Sequence, residues 1–266
     1  MVQVIPLDLD EVATPEGRVF GEFFANVVTC LVLMEATKTI ASGSSVLSAL
    51  VQDFGWVFND LDLFVQYDDA SDLGSLPWFN FLTEQEGYHL VERSGYTGRY
   101  GARYYTYKNY DRDTVVRVVV SRYDPVQYIM GSSWGTHLMN FATWNGIYCL
   151  FPEATLSGRM VVLDGFEDVA QSSYEAFVGR GFSHVEVGQV RELAEFKSER
   201  MVFDEVTRMV PFLFGSYSVE PVGQFSFSIV DGGVRFGRGV QLYPEPFRQS
   251  DAVGFFLNNM EYVGVY

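Results

Sequence analysis

Residues 60–65 read DLDLFV, and this short stretch decides the expected fold. Side chains at i and i+2 of a β-strand point to the same face, so Asp60 and Asp62 project side by side. The leucines that alternate with them pack on the opposite face. Two adjacent carboxylates repel each other unless a cation or a proton lies between them. The stretch therefore predicts a strand that carries a paired-carboxylate site on one face.

A glycine–serine turn precedes this strand. Gly43 and Ser44 follow a short predicted strand at 38–42 and open a short predicted helix at 44–50. Such a turn presents backbone N–H groups, a hydroxyl and the positive end of a helix, all of which suit phosphate. Mg²⁺ prefers carboxylate oxygen and keeps substrate phosphates among its ligands. The turn and the aspartates together predict nucleoside triphosphate and Mg²⁺ binding, although either motif alone is common without function.

These residues resemble the signature of the nucleotidyltransferase (DNA polymerase β-like) superfamily. Within it, the chain is most similar to a large group of uncharacterised fungal proteins that share the signature. In that group a basic, aromatic tract and a valine- or isoleucine-rich strand follow the acidic pair. The resemblance spans about residues 38–215 and includes the segments 136–144, 148–155, 179–182 and 200–204.

The resemblance implies a mixed β-sheet flanked by helices and a reaction that uses two metal ions. A hydroxyl attacks the α-phosphorus of a nucleotide and pyrophosphate leaves. Asp60 and Asp62 take two of the three carboxylate positions, as catalytic residues and Mg²⁺ ligands, and Gly43 and Ser44 take the phosphate-turn positions. The third carboxylate belongs on a neighbouring strand, but the only suitable strand, 115–120, contains none. This departure predicts weak or absent catalysis.

Arg117 is the only polar residue of that valine-rich strand. A charge in a central strand is costly unless it is paired. We therefore predict that the Arg117 guanidinium lies within hydrogen-bonding reach of Asp60 or Asp62 and neutralises the pair in place of a metal. The alternative is an Arg117 that faces solvent from an edge strand.

The basic tract at 93–123 holds seven Lys or Arg residues against two Asp, in a chain whose formal net charge is −16. Tyrosines interleave with these bases. Arg forks bind phosphates and Tyr rings stack on bases, so Arg99 and Arg103 are predicted nucleotide contacts. The alternative is a solvated β-hairpin whose bases balance the acidic remainder. The overall acidity argues against binding to duplex nucleic acid.

The remaining pattern predicts an α/β (α+β) fold. We divide it into a nucleotidyltransferase-like core at 1–155 and a C-terminal region at 156–266, which is first helical and then β-rich. Apolar pairs recurring every four residues predict one helix from Thr14 to about Thr37. A further helix is predicted over 136–144, a helix or a strand over 201–210, and a small β-rich extension over 217–243.

Composition excludes several classes of protein. At 48% hydrophobic and 16% aromatic, the chain is not disordered. Two cysteines, Cys30 and Cys149, exclude a disulfide scaffold and favour a reducing compartment. The longest apolar stretch, 23–34, is too short to cross a bilayer, and no signal peptide is visible, so we expect an intracellular, cytoplasmic protein without a membrane partner. His137 is expected to be a packing or capping residue, and Cys149 is expected to lie in the core.

Three functions remain open from the sequence. The first is a metal-dependent nucleotidyltransferase acting on a protein, a small molecule or an RNA end. The second is a degenerate member that keeps the fold and binds a nucleotide or a protein without chemistry. The third is an assembly protein whose aromatic residues serve an interface. The absent third carboxylate favours the second over the first, and the paired motifs favour either over the third.

Overall fold

A mixed β-sheet forms the centre of the structure, a computed structural model that describes residues 3–4, 14–51, 56, 58–66, 77–94, 102–163, 167–196, 199–213, 225–230 and 232–237. Within these ranges the strands are β1 (Gln3–Val4), β2 (Ile40–Ser42), β3 (Asp60–Gln66), β4 (His89–Arg93), β5 (Arg103–Asn109), β6 (Thr114–Ser121), β7 (Phe141–Thr143), β8 (Gly146–Cys149), β9 (Arg159–Met160), β10 (Ser183–His184), β11 (Arg200–Met201), β12 (Arg208–Pro211), β13 (Ser226–Val230) and β14 (Gly233–Phe236).

Nine of these strands lie side by side in the order β1, β12, β8, β7, β2, β3, β6, β5, β4. The pairs β3–β6 and β1–β12 are parallel, and the other neighbours are antiparallel. Strands β9 and β10 form a separate parallel pair, and β11, β13 and β14 form a small antiparallel sheet. The predicted mixed sheet is therefore confirmed.

Helices pack against this sheet, so the predicted α/β class, a mixed sheet flanked by helices, is confirmed. The nucleotidyltransferase-like core stays a prediction. They are α1 (Pro15–Phe20), α2 (Val27–Thr37), α3 (Ser44–Leu50), α4 (Pro77–Asn80, continued by a π-helical turn at Phe81–Gln85), α5 (Pro125–Ser132), α6 (Pro152–Leu156), α7 (Glu167–Gly179) and α8 (Val187–Val190). Among the described residues, none of these helices has both the length and the apolar character needed to cross a membrane.

The pairing of β3 with β6 fixes the middle of the sheet. The two strands run parallel in one continuous register from Asp60 opposite Val115 to Gln66 opposite Ser121. Leu61 and Leu63 are buried on one face, as the alternating sequence predicts. The charged positions of both strands consequently share the other face.

The single helix predicted from Thr14 to Thr37 is wrong, because the chain breaks between α1 and α2. The Glu86 carboxylate accepts hydrogen bonds from the backbone N–H groups of Ala25 (2.8 Å) and Asn26 (3.0 Å). Asn26 then caps α2 by accepting from the backbone N–H of Thr29. These bonds satisfy the backbone N–H groups at the start of a new helix. The periodic apolar pattern from 14 to 37 therefore belongs to two helices and not to one.

The helix predicted over 136–144 is also wrong. Residues 136–138 form one 3₁₀ turn, and Phe141–Thr143 forms strand β7 between β2 and β8. Trp144 and Asn145 make the turn into β8, where the Asn145 side chain accepts a hydrogen bond from the Tyr148 hydroxyl (3.1 Å). The segment is buried throughout, and a fully buried run has no periodicity that separates helix from strand.

Where it is described, the C-terminal region holds helices α7 and α8 before strands β11 to β14, with the short strands β9 and β10 on either side of α7. Residues 201–210 end in strand β12, which pairs with β8 of the main sheet. The predicted small β extension is confirmed for β13 and β14, and the rest of 217–243 lies outside the described residues. The division of the chain at residue 155 stays a prediction.

Candidate functional site

Asp60 and Asp62 lie on the same face of β3, near its start. Their side chains are 31% and 17% exposed, so both carboxylates remain reachable from solvent. The strand alternation that was predicted from DLDLFV is confirmed here, since the intervening Leu61 is buried on the other face.

Arg117 bridges the two carboxylates. It stands directly opposite Asp62 in the parallel pairing of β3 with β6. Its Nε donates to Asp62 Oδ1 at 2.6 Å, and its terminal Nη2 donates to Asp60 Oδ2 at 2.5 Å. The guanidinium side chain is only 13% exposed. The predicted contact between Arg117 and the aspartate pair is confirmed.

Burial and charge act in opposite directions on this cluster. Burial raises the pKa of Asp62 above its ordinary value, the Arg117 charge opposes the rise, and the neighbouring charge of Asp60 adds to it. Burial alone would lower the pKa of Arg117, but the charges of the two aspartates outweigh burial and raise it. Arg117 therefore carries its positive charge at neutral pH, which holds the paired carboxylates together.

Gly43 lies against this cluster, as predicted. It has φ of +100°, and a Cβ placed on it would lie 3.3 Å from Asp62 Oδ2. A side chain would be strained there by the backbone and crowded by the carboxylate. Ser44 follows as the first residue of α3 and is partly exposed. The phosphate-binding role of Gly43 and Ser44 stays a prediction.

Of the two predicted contacts in the basic tract, the structure describes Arg103 and does not bring it to the aspartate pair. Arg103 begins β5 and stands opposite Val120 of β6. Strand alternation places it on the face of the sheet opposite to that of Arg117. Arg99 lies outside the described residues. Their binding role stays a prediction.

Two features near the aspartates had no sequence signal. Tyr128 of α5 packs on Phe64 of β3, with ring centroids 5.8 Å apart, and its hydroxyl lies 3.1 Å from that of Tyr104. Arg180, just after α7, lies over the rings of Trp56 and Phe58, immediately before β3. Both contacts join segments that are far apart in the chain, so no local spacing indicates them.

Mg²⁺ fits the aspartate pair poorly. Arg117 already bonds to both carboxylates, and it occupies the strand from which the resemblance requires a third carboxylate. Within the described ranges, no three His, Cys, Asp or Glu residues gather as metal ligands. Two carboxylates hold a pair of metal ions weakly, because each hard cation needs several oxygen ligands.

The remaining candidates are packing residues, as expected. His137 is fully buried and lies edge-on to the rings of Trp134 (4.7 Å) and Phe177 (4.5 Å). Burial lowers its pKa to about 3, so the imidazole is neutral at physiological pH. Cys149 is also fully buried, and burial raises the pKa of its thiol to about 12.

No protein-family model matches this chain, and no curated protein matches it significantly.

Proposed function

We propose that this chain is a nucleotidyltransferase-like protein that binds a nucleoside triphosphate beside Asp60 and Asp62 but does not transfer it. The observation that carries the proposal is the Arg117 guanidinium, which donates to both carboxylates. In the superfamily that the motif resembles, the equivalent carboxylates hold metal ions. Here a side-chain cation occupies them.

An arginine replaces the charge of a metal but not its chemistry. A metal ion polarises the reacting phosphoryl group, lowers the pKa of a bound hydroxyl and offers open coordination positions. A guanidinium only donates hydrogen bonds, because it is always protonated and has no acceptor. Nucleotidyl transfer depends on that metal chemistry, so the cluster supports binding rather than catalysis.

The same arrangement favours phosphate more than a bare aspartate pair does. Arg117 cancels one of the two negative charges, and the glycine at position 43 leaves the turn beside Asp62 free of a side chain. Backbone N–H groups in such a turn bind anionic oxygen. These features support a nucleotide phosphate near Gly43 and Ser44.

A second candidate is a metal-dependent nucleotidyltransferase in which Mg²⁺ carried by the nucleotide competes with Arg117. The partial exposure of the two carboxylates, 31% and 17%, favours this candidate because it gives a hydrated cation access. Asp60 and Asp62 would then ligate the ion.

Calorimetric titration of ATP and GTP, with MgCl₂ or with EDTA, distinguishes these candidates. The test variant is Asp60→Asn/Asp62→Asn, and the matched control is Asp111→Asn/Asp113→Asn, which removes two exposed acids. If the chain binds nucleotide without catalysis, it should bind ATP or GTP in EDTA. The test variant should keep or strengthen this affinity, because the positive charge of Arg117 is then no longer neutralised by the two aspartates. The metal-dependent candidate predicts Mg²⁺-dependent affinity that the test variant loses, together with incorporation of labelled nucleotide that Asp62→Asn abolishes. Absence of nucleotide binding under both conditions would refute both.

A further inference from the structure

Arg180 is held by aromatic rings close to the start of β3. Its Cζ lies 5.2 Å from the ring centroid of Trp56, 5.5 Å from that of Phe58 and 5.2 Å from that of Phe177. Phe58 is two positions before Asp60, and the charge of Asp60 acts on the guanidinium of Arg180, so this guanidinium lies near the aspartate cluster formed by Asp60, Asp62 and Arg117.

The rings that surround Arg180 also contact one another. Trp56 meets Phe58 edge-to-face at 5.7 Å and Phe177 at 6.2 Å. Phe182, which follows Arg180 closely in the chain, packs on Trp56 at 5.9 Å and on Phe177 at 6.0 Å. Mutual packing of this kind fixes the position of the guanidinium before any ligand arrives, which lowers the entropy lost on binding.

The hydrogen-bonding capacity of Arg180 is not used by these contacts. Aromatic rings attract a cation but accept no conventional hydrogen bond. Across the part of the chain that the structure describes, the Arg180 guanidinium donates to no carboxylate, carbonyl or hydroxyl oxygen. It is partly exposed, so its N–H groups are accessible to a ligand. Burial lowers the pKa of Arg180, and the charge of Asp60 opposes that shift, which supports their proximity.

We infer that Arg180 is a phosphate receptor, held ready by Trp56, Phe58 and Phe177 at the edge of the aspartate cluster. A guanidinium presents a planar fork that matches two phosphate oxygens. With Arg180 included, two carboxylates and two guanidinium groups leave the site without net charge. A polyphosphate can therefore approach despite the strongly acidic chain.

This inference rests on the proposed function and names the side chain that takes the phosphates of the nucleotide. The alternative is a purely structural role, in which the Arg180 cation at the C-terminal end of α7 interacts favourably with the helix dipole. That role needs no ligand, so binding measurements separate the two.

The test is calorimetric titration of inorganic triphosphate and of ATP at low ionic strength, in EDTA. The variants are Arg180→Gln and Arg180→Lys, and the matched control is Arg191→Gln, which removes the same charge at an exposed position after α8. Thermal unfolding and circular dichroism check that each variant is folded. Expected are at least a tenfold loss of triphosphate affinity in Arg180→Gln, an intermediate loss in Arg180→Lys, and little change in Arg191→Gln.

Each outcome decides the inference. Equal losses of triphosphate affinity in Arg180→Gln and Arg191→Gln would show that only net charge matters and would overturn the inference. Unchanged affinity in Arg180→Gln would overturn it as well. Absence of triphosphate binding to the wild-type chain would also overturn it. If inorganic triphosphate binds through Arg180 and ATP binds no tighter, the phosphate receptor stands and the nucleotide part of the proposed function fails.

Discussion

Replacing Arg117 with alanine tests the central interaction of the site. The change removes two charge-assisted hydrogen bonds, at 2.6 and 2.5 Å, and leaves Asp60 and Asp62 facing each other on one strand face. It also deletes a largely buried side chain from the middle of the main sheet. We expect Arg117→Ala to lower the free energy of unfolding at neutral pH.

The expected loss follows from the geometry. Carboxylates two residues apart on a strand are about 6.6 Å apart, which gives a repulsion of about 2.5 kcal/mol at an effective dielectric constant of about 20. Each lost hydrogen bond to a charged group adds about 1.5 kcal/mol, the lower end of the usual range, because both aspartates are partly exposed. Solvent and proton uptake relieve part of the repulsion, so we expect a net loss of about 3–4 kcal/mol.

Urea unfolding at pH 7 and pH 5 measures this loss. Without Arg117, burial and mutual repulsion both raise the pKa of the carboxyl pair above that in the unfolded chain. The folded variant then binds a proton that the unfolded chain does not, so its stability rises as the pH falls, and the difference from wild type shrinks. Lys108→Ala is the control, because it removes an exposed ion pair with Asp113 and is expected to cost less than about 1 kcal/mol.

Two results would refute this reasoning. The first is a loss at pH 7 no larger than that of Lys108→Ala, which would mean that the ion pairs of Arg117 contribute little. The second is a loss of the same size at pH 7 and pH 5, which would assign the effect to packing rather than to charge.

Arg117, His137 and the two buried cysteines each give a further measurable property of the protein. Arg117→Asp places a third carboxylate opposite Asp62, so in EDTA the variant should have a lower Tm than wild type. Mn²⁺ or Mg²⁺ should raise the Tm of the variant, because the ion binds only the folded chain. Absence of a metal-dependent shift would mean that the three carboxylates do not converge. His137 has a pKa of about 3 in the folded chain and about 6.5 in the unfolded chain, so protonation favours unfolding. Between pH 6 and pH 4.5, the free energy of unfolding should therefore fall by about 2 kcal/mol more in wild type than in His137→Phe, as measured by urea titration. Cys30 and Cys149 are fully buried with raised thiol pKa values, so mass spectrometry after iodoacetamide at pH 8 should find both thiols unmodified in the native chain and alkylated in urea.

The part of the site that lies on two strands could be predicted from sequence, because its signals are local. DLDLFV fixes which face each aspartate takes, and the lone charge among the valines of β6 required a partner. The resemblance suggested that the two strands are neighbours. Their register, with Asp62 opposite Arg117, came from the structure.

The elements that could not be predicted depend on distant residues. The break after α1 is held by Glu86, whose carboxylate binds backbone N–H groups about sixty positions earlier in the chain. The strand β7 is defined by its pairing with β2 and β8, since its own sequence is equally compatible with a buried helix. The ring contacts of Arg180 combine residues near 56 with residues near 180, and no spacing in the sequence indicates such a contact.

The bridge between β3 and β6 also limits how the chain can fold. A slip of one residue between these parallel strands would turn Arg117 toward the face that Leu61 and Leu63 bury, where an unpaired charge is costly. A slip of two residues would keep the face but move Arg117 away from one aspartate. Valine repeats alone would accept any of these alignments, because every register buries similar side chains. The three charges thus select one alignment of two otherwise degenerate strands during folding, whether or not a ligand ever occupies the site.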